Sequence, residues 1–412
     1  MKTRSLFIIV MITASLTLSA CQRTSKDLKS AYPIGSLWSV PANEDVLDWQ
    51  NAAPIANEQH SGSQQASEDI SDVTFTHFET SEGNLADDIQ VSIRKLVEED
   101  KVTAMLGATT NEASMRTASL VNFFEVPMLI PSADGTNLMP STNLWAFRLS
   151  PPGSSYADFV FTSLLTKGVL GEDGEELVDV SDQNIAILFE QNTFGESAAV
   201  ATAQGAMEQM MHIVMYESFT TNNPDPDSIK ALVSQVKDAE AQIVYMISSD
   251  PMVAKTLIST FQDVYDKTAL PVMIGQAGGF ASDSFLKSWQ AEDVFVVRQK
   301  LDVRECPSEI DSIYAAQYYA AESLLAQAVV QVNLETPEKW SLKVKNPLVE
   351  DKAQFRESVR DVIKASNGEL PCLGKVSFDN SGQNKNLQFE ILTVKEGKTE
   401  ICTIEEFQEE LE

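Results

Sequence analysis

Short apolar runs of strand length alternate with segments of helical period from about residue 34 to about residue 300, and this alternation is the feature that most constrains the fold. Such a pattern favours parallel strands joined by crossover helices. It occurs twice, on either side of the turn-forming segment Ser150-Pro151-Pro152-Gly153. Two similar α/β halves predict two lobes with a cleft between them, where helix N-termini and the carboxyl ends of strands gather.

The first half contains the strands 34–39, 73–78, 102–106, 126–131 and 144–149 and the helices 44–58, 84–99 and 112–124. The second half contains the strands 184–189, 213–219, 242–247, 271–274 and 294–298 and the helices 195–211, 227–238, 251–265 and 281–289. After residue 298 the pattern changes to a tail. The tail is predicted to contain a helix at 308–332, a helix at 351–365 and a hairpin over 375–404, with turn residues at Asp379-Asn380-Ser381-Gly382 and a second turn at Glu396-Gly397.

The N-terminus has the layout of an export signal: Lys2 and Arg4 precede the apolar stretch 6–11, and small residues follow. The segment Leu18-Ser19-Ala20-Cys21 resembles a bacterial lipobox, which implies a signal peptide at 1–20, lipidation at Cys21 and a spacer at 21–31. An ordinary cleaved signal with a nearby cysteine is the alternative. The lipobox predicts a cell-envelope protein, anchored in the membrane by lipid, on the periplasmic or extracellular face.

Composition narrows the possible partners and the redox chemistry. The formal net charge of −30 over 412 residues disfavours binding to nucleic acid and to anionic lipid headgroups. Cys306, Cys372 and Cys402 remain after Cys21, so an oxidising compartment permits one disulfide of unassigned pairing and leaves one thiol.

The motifs that mark common enzyme classes do not occur. The chain has no Gly-x-Ser-x-Gly elbow, no Gly-x-Gly-x-x-Gly after a strand and no Gly-Lys-Ser/Thr phosphate loop. His60, His77 and His212 lack the spacing of a metal site. We therefore predict no catalytic residues, no metal and no cofactor.

Several segments, taken in order, carry a family resemblance. Lys101 to Gly107, the segment 126–134, Phe147-Arg148-Leu149-Ser150-Pro151 and Gln191-Asn192-Thr193-Phe194-Gly195 resemble landmarks of type I periplasmic binding proteins. More narrowly, the chain resembles the leucine/branched-chain amino acid receptor family of ABC transporters over residues 31 to 400. The resemblance implies two Rossmann-like lobes joined by three hinge crossings, with lobe 1 at 32–150 and 304–381 and lobe 2 at 151–303 and 382–412.

In lobe 1, the resemblance implies ligand contacts from two loops. Thr109, Thr110 and Asn111 precede a helix whose free N–H groups would hold a carboxylate, although such residues also serve as caps. Ser132, Ala133 and Asp134 form the second loop. Asp134 stands where the family has a hydroxyl, and it either pairs with a cationic group of the ligand or forms a turn with Gly135.

In lobe 2, Phe194 corresponds to the family's aromatic lid without the phenol. Ser249 and Asp250 contact the ligand or cap the helix that opens at Pro251. Gln276 and Ala277 complete the predicted site, and Ala277 replaces the acid that binds the ammonium in amino acid receptors.

These features predict a non-enzymatic solute-binding lipoprotein that closes on a small polar solute bearing a carboxylate, such as an amino acid, an amide or a short peptide, and delivers it to an ABC permease. The alternative is an envelope lipoprotein that uses the same fold to sense or regulate a protein partner without transport.

Overall fold

The computed structural model describes residues 30–38, 50, 52–56, 73–81, 86–165, 180–220, 225–265, 270–276, 278–289, 294–302, 305–335, 349–395 and 398–409. The predicted signal peptide and Cys21 lie outside these residues. Within them, no helix combines the length and the apolar composition needed to cross a membrane.

The first half of the chain builds a five-stranded sheet. Its strands are β1 (Ser30–Trp38), β2 (Val73–Ser81), β3 (Ala104–Leu106), β4 (Met128–Ile130) and β5 (Ala146–Arg148). The helices between them include residues 52–56, α1 (Ala86–Arg94), which continues as a π-helical turn to Glu99, and α2 (Asn111–Phe124). All strand pairings in this sheet are parallel, as the alternation predicts. Strand β1 begins at Ser30, inside the segment predicted as a spacer.

The second half builds a seven-stranded sheet together with part of the tail. Its parallel strands are β6 (Asn184–Glu190), β7 (His212–Phe219), β8 (Ile243–Ile247), β9 (Val272–Gln276) and β10 (Val294–Gln299). Its helices are α3 (Gly153–Phe159), α4 (Thr193–Glu208), α5 (Pro226–Asp238), α6 (Pro251–Val264) and α7 (Asp283–Ser288). Strand β8 is apolar throughout and buried along its whole length, as expected for a central parallel strand covered on both faces.

The two sheets repeat one strand order. The order is β2-β1-β3-β4-β5 in the first sheet, and the parallel part of the second runs β7-β6-β8-β9-β10. In each sheet, the strand that is first along the chain has the second strand on one side and the third on the other. This reversal of direction creates a crevice at the carboxyl ends of the strands next to it. We call the five-stranded sheet with its helices lobe 1 and the seven-stranded sheet with its helices lobe 2. The predicted fold class, a type I periplasmic binding protein fold with two Rossmann-like lobes, is confirmed.

The tail contributes to both lobes. Its elements are α8 (Ile313–Glu335), α9 (Val349–Ala365), β11 (Asn367–Leu370), β12 (Gly374–Ser377), β13 (Phe389–Lys395), β14 (Lys398–Cys402) and α10 (Ile404–Glu409). Helices α8 and α9 pack on each other, and α8 contacts β2 and β3 of lobe 1. Strands β13 and β14 extend the sheet of lobe 2 in antiparallel fashion.

The prediction of a hairpin over 375–404 is confirmed only in its second part, where β13 and β14 pair in antiparallel fashion on either side of residues 396–397. Strand β12 pairs with β11 in a separate two-stranded sheet, whereas β13 pairs with β10 and β14. The segment 379–382 does form a turn, in which the Asp379 carboxylate accepts hydrogen bonds from the backbone N–H groups of Ser381 and Gln383. This turn lies on the passage from lobe 1 to lobe 2, because Gly382 and Gln383 contact β5 instead of continuing a hairpin.

The chain passes between the sheets after β5, after β10 and between β12 and β13, and polar side chains hold the three crossings side by side. The Gln383 and Asn384 side chains donate to the carbonyls of Ser150 and Leu149 at 3.2 and 3.3 Å. The Gln299 side chain donates to Leu149 O at 3.5 Å. Hydrogen bonds between polar side chains and backbone carbonyls therefore hold the hinge together. The predicted lobe boundaries at 150, 303 and 381 remain predictions.

A disulfide between Cys306 and Cys372 resolves the open pairing, and Cys402, which is buried, is not part of this bond. The bond joins the segment before α8 to the turn between β11 and β12, over a sequence separation of 66. The neighbouring backbone bridge from Asp302 to Cys372 ties the second crossing to the same turn.

We predict that replacing both Cys306 and Cys372 by serine lowers the free energy of unfolding by about 2–5 kcal/mol, because the cross-link restricts a long loop of the unfolded chain. Denaturant unfolding with and without reductant measures this loss. The matched variant Cys402→Ser should keep the sensitivity to reductant. Equal sensitivity of the double variant and the parent protein would contradict the structural role of the bond.

Candidate ligand site between the lobes

The loop after β3 begins the site in lobe 1. Thr109 is buried, and Thr110 caps α2 because its Oγ1 accepts a hydrogen bond from the Ala113 N–H at 3.3 Å. The Asn111 side chain reaches to the next loop: its Nδ2 donates to Asp134 Oδ1 at 3.1 Å, and its Oδ1 accepts from the Gly135 N–H at 2.8 Å. Capping is thus assigned to Thr110, and Asn111 fixes the loop that follows β4.

The loop after β4 supplies the other predicted residues of lobe 1. Ala133 is buried, and its carbonyl accepts from the Ser150 hydroxyl at 2.6 Å. Ser132 is 8% exposed, and its hydroxyl has no hydrogen-bond partner among the described residues. Because a buried polar atom without a partner costs free energy, Ser132 is a candidate for contact with a bound molecule.

Lobe 2 approaches these loops through α4 and its N-terminal segment. Phe194 is fully buried and lines a small cavity together with Asn111 and Met115 of lobe 1. Helices α2 and α4 are in contact, so the lobes meet along this line. The predicted lid residue therefore lies at the junction of the two lobes.

The remaining predicted residues of lobe 2 differ in their surroundings. Asp250 caps α6, since its Oδ1 accepts from the Met252 N–H at 2.7 Å, as the capping alternative predicts. Ser249 is exposed, and both its N–H and its hydroxyl donate to Glu190. Gln276 is fully buried, its Oε1 accepts from the Tyr245 hydroxyl at 3.0 Å, and its Nε2 has no partner within the described part of the chain. Ala277 lies outside the described residues.

Glu190 is a residue that the sequence analysis missed. It ends β6 with no exposed surface, and its carboxylate accepts from Ser249 N and Oγ, both at 2.9 Å, and from Asn192 Nδ2 at 2.8 Å. An acid at the end of an otherwise apolar strand was the available signal. Tyr156, Arg298 and Gln317 were also missed, and they line a second small cavity with Ser132 and Asp134.

Close approach of the lobes is visible at Gly153, the first residue of α3. Its N–H donates to Asp134 O at 2.6 Å, and a Cβ atom at this position would lie 3.1 Å from Ala198 Cβ and 3.3 Å from Gln276 Nε2. The two cavities between the lobes each measure about 10 Å³, which is room for about one water. A solute of amino acid size therefore enters only if the lobes move apart.

Burial shifts the pKa of several groups here. Burial away from water raises the pKa of Asp134 to about 7, although the hydrogen bond from Asn111 acts to lower this pKa. Repulsion from Glu190 raises the pKa of Asp134 further and outweighs the attraction of Arg148. Burial also raises the pKa of the Glu190 carboxyl, and it lowers that of Arg148 to about 10. These surroundings thus disfavour the ionised form of both carboxyl groups.

The fold is that of the substrate-binding proteins of ABC transporters. A leucine-binding protein from Thermotoga maritima superposes with a TM-score of 0.67 at 12% identity, covering 90% of this chain and 98% of that one. The branched-chain amino acid transporter substrate-binding protein from Streptococcus pneumoniae, in complex with isoleucine, gives 0.65 at 15% identity, with coverage of 90% and 99%. A solute-binding protein from Rhodopseudomonas palustris, in complex with 3,4-dihydroxybenzoic acid, gives 0.68 at 14% identity, with coverage of 90% and 95%.

No protein family model matches the sequence, and no curated protein matches it either. The similarity to the solved structures shows the fold of this chain and nothing finer. It confirms the fold that the sequence resemblance implies.

We predict that the stability of the folded protein falls as the pH rises from about 4 to 7. Folded Asp134 keeps a proton up to a pKa of about 7, whereas its unfolded counterpart loses it at 3.8, so the folded state binds more protons over this interval. The groups that act on Asp134 are Asn111, Glu190, Arg148 and Tyr156. Melting temperatures measured across this range should fall more steeply for the parent protein than for Asp134→Asn. Identical slopes would contradict the assignment.

Proposed function

We propose that this protein is an extracytoplasmic solute-binding lipoprotein, not an enzyme, which captures a small polar solute bearing a carboxylate and delivers it to an ABC permease. Export by the signal at 1–20 and lipidation at Cys21 would hold it at the cell envelope, on the periplasmic or extracellular face. The proposal requires no cofactor and no metal.

The observation that carries this proposal is the set of buried polar atoms without partners between the carboxyl ends of two parallel sheets. Ser132 contributes a hydroxyl from lobe 1, Gln276 an amide nitrogen from lobe 2 and Gln317 an amide oxygen from α8, and none of these atoms has a partner among the residues that the structure describes. Buried polar atoms are normally satisfied, so this concentration favours a polar ligand.

Hinge closure is the mechanism that this arrangement supports. The three crossings allow the lobes to separate, and a solute then bonds to the loops of lobe 1 before lobe 2 closes over it. Closure is favoured by as much as the solute binds the closed form better than the open form. We assign the contacts to Thr109, Thr110, Asn111, Ser132, Ala133, Asp134, Phe194, Ser249, Asp250, Gln276 and Ala277.

We predict that a thermal-shift screen of the purified full chain in mild detergent, against amino acids, amides and small carboxylates, identifies a stabilising solute. A solute at 100 times its dissociation constant adds about 2.7 kcal/mol to the stability. The variant Ser132→Ala should weaken that solute several-fold, because it removes one hydrogen bond worth about 0.5–1.5 kcal/mol. It should leave the melting temperature without solute unchanged or higher, since the lost hydroxyl has no partner within the described residues.

Ser323→Ala is the matched control, because Ser323 in α8 is also a buried hydroxyl without a partner in the described part of the chain. It should not change the affinity for the solute. If no compound shifts the melting temperature of the parent protein, solute capture is wrong. A protein partner recovered without any solute effect would support the sensor function instead.

A further inference from the structure

Large apolar side chains are exposed at the amino ends of the strands of lobe 1. Phe123, in the last turn of α2, is 78% exposed, the largest value for such a side chain among the described residues, and Leu144, shortly before β5, is 54% exposed. They are neighbours, because the Asn122 side chain accepts a hydrogen bond from the Leu144 N–H at 2.8 Å. Phe124 contacts Phe123 with ring centroids 5.1 Å apart. We call Phe123, Phe124 and Leu144 the Phe123 patch, and such grouping indicates a contact surface.

Cations lie at the same edge of the sheet. Lys101 is exposed ahead of β3, and α9 brings Lys352 and Arg356 close to it. Arg356 donates to Val102 O from Nε at 3.0 Å and from Nη2 at 2.6 Å, which fixes α9 beside the start of β3. None of the three cations has an ion-pair partner within the described part of the chain, although the protein has 60 acidic residues for 30 basic ones. This edge is therefore locally basic in an acidic protein.

The patch and the cations share one edge because the sheet is parallel. Strands β3, β4 and β5 start side by side, so that Lys101 ahead of β3 and Leu144 ahead of β5 are separated by two strand spacings, about 10 Å. Arg360 of α9 stacks on the Trp145 ring at 4.5 Å, so α9 also reaches the start of β5. The loops of the candidate ligand site follow the opposite, carboxyl ends of these strands. A partner at the amino ends therefore leaves the interlobe space free.

The predicted lipid anchor leads to this same edge. Strand β1 is parallel to its neighbour β3 and begins at Ser30, so the first described residue lies at the amino ends of the strands. The residues from Cys21 to Ser30 span at most about 30 Å even when fully extended. An acylated Cys21 would thus keep this edge, and no other part of lobe 1, close to the bilayer.

We propose, on the basis of the lipid anchor in the function above, that this edge of lobe 1 rests on the surface of the phospholipid bilayer, with the Phe123 patch in the interfacial layer and Lys101 and Lys352 beside headgroup phosphates. Apolar side chains flanked by cations suit this layer, which is apolar below and anionic above. The candidate ligand site then faces the solution from which the solute is captured.

The anchor is necessary for this contact. The net charge of −30 repels a bilayer that contains anionic lipids, so the patch does not recruit the free protein. A tether raises the effective concentration of the edge at the surface, and the overall repulsion is screened within about 8 Å at physiological salt. Local cations and apolar groups then decide the contact. Because few apolar side chains enter the bilayer, the contact is reversible and permits delivery of the solute.

A fluorescent label at the patch tests this inference on the full lipidated chain. Phe123→Cys is combined with Cys402→Ser, an NBD group is attached at position 123, and the protein is incorporated into phosphatidylcholine vesicles that contain a minor fraction of phosphatidylglycerol. Spin-labelled lipids should quench this label and place it about 5–10 Å into the boundary between headgroups and acyl chains. Adding Leu144→Ser should weaken the quenching at least about twofold, because it removes apolar surface from the contact.

The matched control position is Met252, a side chain of lobe 2 that is 63% exposed at the start of α6. The label attached through Met252→Cys in the same background should not be quenched. Equal quenching at positions 123 and 252, or none at position 123, in a chain that floats with the vesicles would overturn the inference and leave the anchor intact. Shielding of position 123 by an envelope protein instead of lipid would also overturn it.

Flotation of the vesicles measures the anchor separately from the contact. A parent chain that does not float would overturn the anchor and the inference together, while solute binding in the thermal-shift screen would remain a separate result. Cys21→Ser should neither float nor show quenching, and quenching as strong as in the anchored chain would overturn the role of the tether. If Phe123→Cys does not fold, the label is attached through Leu144→Cys, with the same expected outcome.

Discussion

The structure depends on three chain crossings that lie side by side and are bonded to one another through polar side chains. Leu149 is the common acceptor, because Gln299 of the second crossing and Asn384 of the third both donate to its carbonyl. Arg148 of lobe 1 also stabilises the hinge, because its side chain donates a hydrogen bond to the Gln383 side chain. Since the crossings join the sheets near their carboxyl ends, the loops after β3 and β4 of lobe 1 meet the start of α4 of lobe 2 at the same interlobe space.

That space disfavours the ionised form of its carboxyl groups. Burial raises the pKa values of Asp134 and Glu190, and repulsion from Glu190 raises that of Asp134 further, while Arg148 bonds to Gln383 of the hinge and Arg298 pairs with Glu390. The ionisation of Asp134 is therefore coupled to the stability of the folded protein.

The strands were predictable wherever one sheet buries them on both faces. Asn184 to Glu190 and Ile243 to Ile247 are mainly apolar or β-branched runs, and their positions agree with the predictions within one residue. The long helix was predicted to begin at residue 308 but begins at Ile313, because the Ser312 hydroxyl accepts from the Ala315 N–H and the disulfide at Cys306 holds the preceding segment apart. The predicted pairing across residues 379–382 was wrong, because turn residues do not reveal which strands pair with each other.

The sequence by itself determined the α/β class, the repeated halves and the loops after β3 and β4, because hydrophobic period and capping residues act over short distances. It also identified Asp134 as an unusual acid. Only the tertiary structure decided that Cys306 pairs with Cys372, that Asn111 donates a hydrogen bond to Asp134 and that Glu190 of the other lobe raises the pKa of Asp134. These relationships join residues far apart in the chain, and their energies depend on distance and burial, which a linear pattern does not contain.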